Sequence, residues 1–320
     1  MNDMLIAIGE ALIDFIPDKR GCEFDEVEAF SPKLGGAPAN VCGAYARLGG
    51  RARLLTQLGD DPFGHKILKE LGQYGIDTSC ITLTDKANTA LAFVSLGARG
   101  ARTFSFYRKP SADMLYSPEN IALQYFDDVF ALHFCSVSLG DFPMKQAHKA
   151  AIAQAREKGG MISFDPNLRF QLWDDRESLK KTVNEFIQLA DILKVSDEEL
   201  EFLTGERDID TALPKLFCGN VKLVIYTCGG RGAYAFTKTA SSYKTARDVE
   251  VIDTTGAGDG FIGSFLWKLN DMKITADTLE MLDEERLGSC LDFSNEFCTR
   301  SVMRHGAIAS YPDMKDYSFL

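Results

Sequence analysis

The runs ALHFC (131–135), MISFD (161–165) and DILKV (191–195) are short and apolar, and segments with helical spacing separate them, Met144 to Lys158 and roughly 178–189. Strand–helix alternation of this kind predicts an α/β fold whose strands lie parallel and are joined by crossover helices. Outward from this stretch, LVIYT (223–227) continues the series. Nearly every strand is apolar on both sides, as helices on both faces of a sheet require. Two regions break the rhythm, about 15–34 and 88–109. In the second, Ala90 to Leu96 and Arg102 to Tyr107 flank the turn GARG (97–100), a hairpin signal. Both regions are expected to be antiparallel strands of a small sheet able to close over a ligand. No internal repeat, low-complexity tract or long linker appears, so residues 1–320 read as one domain with a lid.

The segment DTTGAGDG, Asp253 to Gly260, carries the chemistry. Val249 and Val251 alternate with polar residues as a short strand does, and Phe261, Ile262, Phe265, Leu266 and Leu269 follow at helical spacing. The motif is then a strand-to-helix turn. Amides at a helix start have no intrahelical acceptor and the dipole there favours negative charge, so Gly256, Ala257 and Gly258 can hold a phosphate through the backbone. A carboxylate beside a phosphate repels it unless the acid has work to do, and accepting a proton from an attacking hydroxyl is such work for Asp259. The plain alternative is a helix cap. Gly258, Gly260 and Gly263 also spell GxGxxG, which suggests dinucleotide binding, but that fingerprint needs a further strand ending in an acid about 20 residues on. Thr275 to Cys298 reads instead as helix.

The composition, 45% hydrophobic and 25% charged over 320 residues, supports a large core. No apolar run is long enough to span a membrane, and MNDM leads straight into LIAIGEALID without a basic segment and cleavage site, so a cytoplasmic location is expected. The eight cysteines (22, 42, 80, 135, 218, 228, 290, 298) and four histidines are scattered, the pattern of buried free thiols rather than a Cys/His metal site. A net charge of −11 argues against nucleic-acid partners, and an anionic ligand then needs local help.

Arg108 in FYRKPSAD (106–113) and Arg169 in DPNLR (165–169) are the candidates for that help, since a planar, always charged fork suits a phosphate. In LGGAPANVCGAYARLGG (34–50), Gly35 and Gly36 offer a hinge and bare backbone, and Asn40 offers donor and acceptor groups for a sugar hydroxyl. GEALID ends the first strand with Asp14, at the edge where parallel sheets meet their ligands. TCGGRG (227–232) follows the strand LVIYT and looks like a second backbone-binding loop. No GxxxxGK[ST] occurs, which excludes a conventional P-loop kinase.

Taken together these segments resemble the PfkB/ribokinase family of carbohydrate kinases, from GEALID near the start to RHGAIASYP near the end. GGAPANVCGAYARLGG and DTTGAGDG match the two motifs that define the family, and FYRKPSADM, DPNLR, LKVSDEELEFLTG and VIDTTGAGD are most similar to its fructokinase branch. The resemblance implies a Rossmann-like, mostly parallel central sheet flanked by helices with a small β lid. It also implies transfer of the γ-phosphoryl of ATP to a sugar hydroxyl, the 6-hydroxyl of fructose in that branch, with Mg2+ and often a monovalent cation such as K+. By position it makes Asp259 the base and Gly256, Ala257 and Gly258 the anion hole. Asp14, Gly35, Gly36 and Asn40 would hold the sugar, and Arg108 and Arg169 would lie near the acceptor or the transferred group. Thr227, Gly229, Gly232 and Asn295 would line the nucleotide site. Asp253, Thr255, Ser301, Arg304, Gly306 and Ser310 would surround the cation, mostly through main-chain oxygens, and Glu199 would organise magnesium through water. The chain departs from the family pattern at Ser196, where many members carry Asn, and at Gly260, where Ala or Thr is usual and a weaker helix start is expected. Another acceptor, such as 2-keto-3-deoxygluconate, ribose or a nucleoside, and a catalytically silent regulator of the same fold are the alternatives. Exposed lid edges with Phe93 and Phe104 allow a homodimer through the lid.

Overall fold

The structure, a computed structural model, describes residues 2–19, 21, 24–96 and 102–317; Cys22 and the turn GARG lie outside them. In chain order the elements are β1 (Met4–Ile8), β2 (Leu12–Pro17), β3 (Phe30–Gly35), α1 (Ala37–Arg47), β4 (Arg51–Leu55), β5 (Gln57–Gly59), α2 (Pro62–Gln73), β6 (Ile76–Asp77), β7 (Thr82–Thr84), β8 (Leu91–Leu96), β9 (Arg102–Tyr107) and β10 (Val129–Cys135). There follow α3 (Pro143–Glu157), β11 (Met161–Asp165), α4 (Arg176–Ile187), β12 (Ile192–Ser196), α5 (Asp197–Thr204), α6 (Ile209–Leu216), β13 (Leu223–Thr227), β14 (Ala233–Phe236), β15 (Ser241–Lys244), α7 (Ala257–Asp271) and α8 (Glu284–Val302).

Among the described residues, nine strands form the main sheet in the order β15-β14-β13-β12-β11-β10-β1-β4-β6. Pairing is parallel from β13 to β6 and antiparallel only where β14 and β15 are added at one edge. Strands β10, β11 and β12 are buried almost throughout because both faces are covered. Residues of α1, α7 and α8 pack one core. Residues of α3, α4, α5 and α6 pack the other. No helix among the described residues is long and apolar enough to cross a membrane.

A separate four-stranded sheet has the order β3-β2-β8-β9. Its outer pairs are antiparallel, but β2 and β8 run parallel, which the expectation of antiparallel strands had not included. Three further expectations are corrected. The first strand does not continue to Asp14: β1 ends at Ile8, Gly9 takes φ +144°, and Asp14 belongs to β2 of the small sheet. No strand forms at Val249 and Val251, because the nearby amides of Ile252 and Asp253 both donate to Val302 O instead of to a sheet. The helix read over 275–298 begins only at Glu284, where the Asp283 carboxylate caps Arg286 N–H.

Candidate active site

The parallel strands deliver their C-terminal ends to one edge, the place where open α/β sheets bind ligands, and α7 starts beside it. Its N-cap, Gly256, is left-handed (φ +73°), and its carbonyl accepts Gly260 N–H at 2.7 Å. A Cβ there would lie 2.7 Å from both Ala307 Cβ and the Tyr311 hydroxyl, so conformation and space both demand glycine. Ala257 N–H closes a turn onto Thr254 O at 3.1 Å. From Gly256 to Asp259, the backbone donors left without an acceptor among the described residues are therefore those of Gly256, Gly258 and Asp259, with Asp259 in the place of Ala257 in the expected trio.

Asp259 stands in the first turn of α7, and its Oδ2 accepts Asn40 Nδ2 at 2.9 Å, from the first turns of α1. Burial, helped by the neighbouring Asp165, pushes the carboxyl up from 3.8 to about 6; the Asn40 bond, Lys194 and Arg169 restrain the rise. Such a group is ionised at neutral pH yet basic enough to take a proton. Asn40 Oδ1 is buried with no partner, which leaves an acceptor next to the Asp259 carboxyl for a hydroxyl.

A cleft of roughly 570 Å³ runs from this turn along the strand ends. Thr227, Gly229, Gly232 and Asn295 line it, as do Arg169, Glu199, Ala257 and Gly258. Val249 and Val251, expected in a strand, instead form part of an apolar wall with Phe261 and Val302, suited to a planar base. Asn295 is held by its Nδ2 on Lys244 O at 3.0 Å. Glu199 is buried and fully engaged within the chain: Oε1 accepts Leu168 N–H at 2.8 Å, and Oε2 accepts Ser196 N–H at 3.0 Å and Ser196 Oγ at 2.9 Å. Ser196, the departure from the family pattern, thus closes a capping box on α5.

Sequence reasoning missed Lys194. Its Nζ lies 2.5 Å from Asp165 Oδ2, both side chains are at most 5% exposed, and a Cβ on Gly258 would sit 3.5 Å from the ammonium. Burial works against the charge, but Asp165 and Glu199 outweigh it and raise the ammonium's pKa. A lysine inside the buried run DILKV was the available signal, since lysine is almost never fully buried without a partner.

The expected sugar-side residues gather around the start of α1. Asp14 lays its carboxylate on the bare face of Gly35, where a Cβ would be 2.1 Å from Oδ2. Gly36 has φ +104°, and a Cβ on it would meet Glu10 O at 2.5 Å. Glu10, also missed, is buried and accepts Ala37 N–H at 3.2 Å and Ser138 Oγ at 2.7 Å, which ties the end of β1 to α1. Burial raises its pKa, against the pull of Arg108. Arg108 does not line the cleft. It is buried just beyond β9, with Nη1 on Val137 O at 2.9 Å, Nη2 on Ser138 Oγ at 3.0 Å and Nε on Asp113 Oδ2 at 3.1 Å, the pose of a latch between the small sheet and the body.

Beyond the turn, Asp253 Oδ1 accepts Thr255 N–H at 2.9 Å and Thr255 Oγ1 at 2.7 Å, and Oδ2 accepts Gly306 N–H at 2.9 Å. Ser301 and Ser310 share a hydroxyl–hydroxyl bond of 2.7 Å, and Arg304 is exposed. The Asp253–Gly306 bond ties the segment before α7 to the one after α8, and the Ser301–Ser310 bond ties the end of α8 to the C-terminal segment. Among the described residues no group of three or more His, Cys, Asp or Glu is placed to hold a metal.

The model of the pfkB family of carbohydrate kinases matches residues 2–314. The chain belongs to that family. It is 41% identical over 320 residues to probable fructokinase-2 of Arabidopsis thaliana, an alignment covering 99% of this chain and 95% of the relative. The crystal structure of fructokinase with bound ATP from Xylella fastidiosa superposes with a TM-score of 0.91 at 32% identity, covering 99% of this chain and 97% of that one. Fructokinase from Vibrio cholerae, in a form with bound fructose, ADP and calcium, gives a TM-score of 0.85 at 32% identity, with 100% and 99% covered. The fold is therefore the ribokinase-like one that the motifs implied, and the site is that of an ATP-dependent carbohydrate kinase.

Proposed function

We propose that this kinase phosphorylates the 6-hydroxyl of D-fructose with the γ-phosphoryl of ATP. The observation that carries the reading is Asp259: a carboxyl pushed to about 6, fixed by Asn40, beside three amides with no acceptor. The sugar lies over Asn40, Asp14 and the Gly35–Gly36 backbone, and its hydroxyl gives its proton to Asp259 as the phosphoryl group arrives. Gly256, Gly258 and Asp259 amides, Lys194 and Arg169 meet the charge on the transferred group, so catalysis is mainly positioning and electrostatics. Arg108 acts through the small sheet, which serves as a lid. ATP occupies the cleft, with its base between Asn295 and the valines and its ribose and phosphates along Thr227, Gly229 and Gly232.

Magnesium would neutralise phosphate charge in such a transfer; Asp165, whose Oδ1 is buried with no partner, would hold it, and Glu199, whose oxygens are bonded within the chain, would act on it through water. A monovalent cation would be held by main-chain oxygens around Asp253, Thr255, Ser301, Arg304, Gly306 and Ser310, segments that the Asp253 carboxylate ties together through the Thr255 and Gly306 amides and the Thr255 hydroxyl. Seven described cysteines are free thiols, which supports a reducing, cytoplasmic setting. ATP consumption measured with fructose, ribose, 2-keto-3-deoxygluconate, glucose and adenosine tests the acceptor. Fructose is expected to give the highest kcat/KM; a higher value on another acceptor removes fructose, and none on any removes the kinase reading.

A further inference from the structure

Tyr311 is fully buried behind the anion-binding turn, and no motif assigns it a role. Its hydroxyl donates to Gly256 O at 2.7 Å, the same carbonyl that receives Gly260 N–H at 2.7 Å. Its ring covers Gly260: a Cβ there would lie 3.0 Å from Tyr311 Cε1 and 3.2 Å from Phe297 Cε1. One side chain therefore touches both glycines that bracket the turn. It is itself seated from α1, where Arg47 grips the Tyr311 carbonyl through Nε at 3.1 Å and Nη2 at 2.9 Å.

We infer that Tyr311 is a positioning residue for phosphoryl transfer, its hydroxyl clamping the Gly256 carbonyl so that the amides of Gly258 and Asp259 keep the direction that receives the transferred group. Gly256 has no Cβ to limit its torsions, so the turn needs an external clamp. A peptide unit is planar, and fixing its C=O fixes the following N–H as well; here that N–H belongs to Ala257 and is the one closing the turn on Thr254. Burial and the nearby Asp259 charge raise the phenol well above its ordinary value, so it stays a donor at any working pH. The glycine at 260, a cost in helix propensity, is what gives the ring its place.

The inference rests on the proposed kinase reaction, and the experiment separates the two. In Tyr311→Phe, kcat is expected to fall on the order of tenfold, less than the hundred- to thousandfold loss on removing an oxyanion donor itself. Affinity for ADP–aluminium fluoride should fall in proportion, while KM for both substrates, affinity for ADP alone and the melting temperature stay at wild-type values. Unchanged kcat and ADP–aluminium fluoride affinity, or losses that follow melting temperature and ADP affinity together, overturn it. As a second arm, Gly260→Ala should cost turnover in the wild-type background and cost less in a Tyr311→Leu background, where of the two rings the new Cβ meets only Phe297 remains; equal cost in both also overturns the inference. If the wild-type protein turns over no acceptor, the proposed function fails, and the ADP–aluminium fluoride ratio still decides the role of Tyr311.

Discussion

Asp259 binds its proton more tightly in the folded protein, at about 6 against 3.8 in an open chain. Between those values the folded state holds a proton that the unfolded state has released, so stability falls as pH rises through this window. Asp259→Asn should therefore abolish most turnover yet melt higher than wild type at pH 8, with the gain gone near pH 4; paired melting curves check both ends. In the wild-type enzyme, kcat/KM should climb with pH to a plateau above a midpoint of about 6. Asn40 donates to the ionised form and holds that midpoint down. Asn40→Ala should move it upward in a pH–rate profile, and an unmoved midpoint would detach Asn40 from the base. Both residues stood out in the sequence by their glycine surroundings, but their bond to each other joins positions 219 apart and has no local signature.

At the level of elements, β11 and β12 lie side by side and present Asp165 and Lys194 as a buried pair. Removing one member of such a pair leaves a charge without compensation in a poorly solvated place. Lys194→Met should cost about 3–5 kcal/mol in urea unfolding, and adding Asp165→Asn should restore part of it. The apolar runs of β10 to β13 were legible because burial on both faces writes a continuous hydrophobic pattern, and so were α3 and α4 by their helical spacing, whereas α5 and α6 between β12 and β13 were not read. The segment 249–251 was misread because alternation reports only a half-buried chain. Whether that chain is a strand depends on a neighbour with open hydrogen-bonding groups, and here Val302 O takes those of Ile252 and Asp253. The start of α8 was misplaced for a similar reason: the periodicity extended past the Asp283 cap that sets it.

Over the whole molecule, the small sheet and the turn between β2 and β3 keep aromatic rings in solvent, with Tyr107 63% and Phe24 43% exposed around the stacked pair Phe15–Phe93. A dimer through this sheet would cover them. Sedimentation should give twice the chain mass of 35.4 kDa, reduced to one chain in a Tyr107→Ser/Phe24→Ser variant; a wild-type monomer ends the idea. The sequence alone determined the α/β class, the mostly parallel sheet and the existence of a second small sheet, and it singled out Asp259 and Asn40, which the fold brings together, because periodicity and glycine–carboxylate motifs are local properties of the chain. The tertiary structure alone decided which amides remain open at the turn, that Arg108 bonds Asp113, Val137 and Ser138 inside the fold, that Lys194 pairs with Asp165 at the cleft, and that Glu10 and Tyr311 stand behind the segments they bond. Those outcomes depend on desolvation and on hydrogen-bond partners supplied by distant segments, and neither exists until the sheet edge, α1 and the C-terminal loop are packed together.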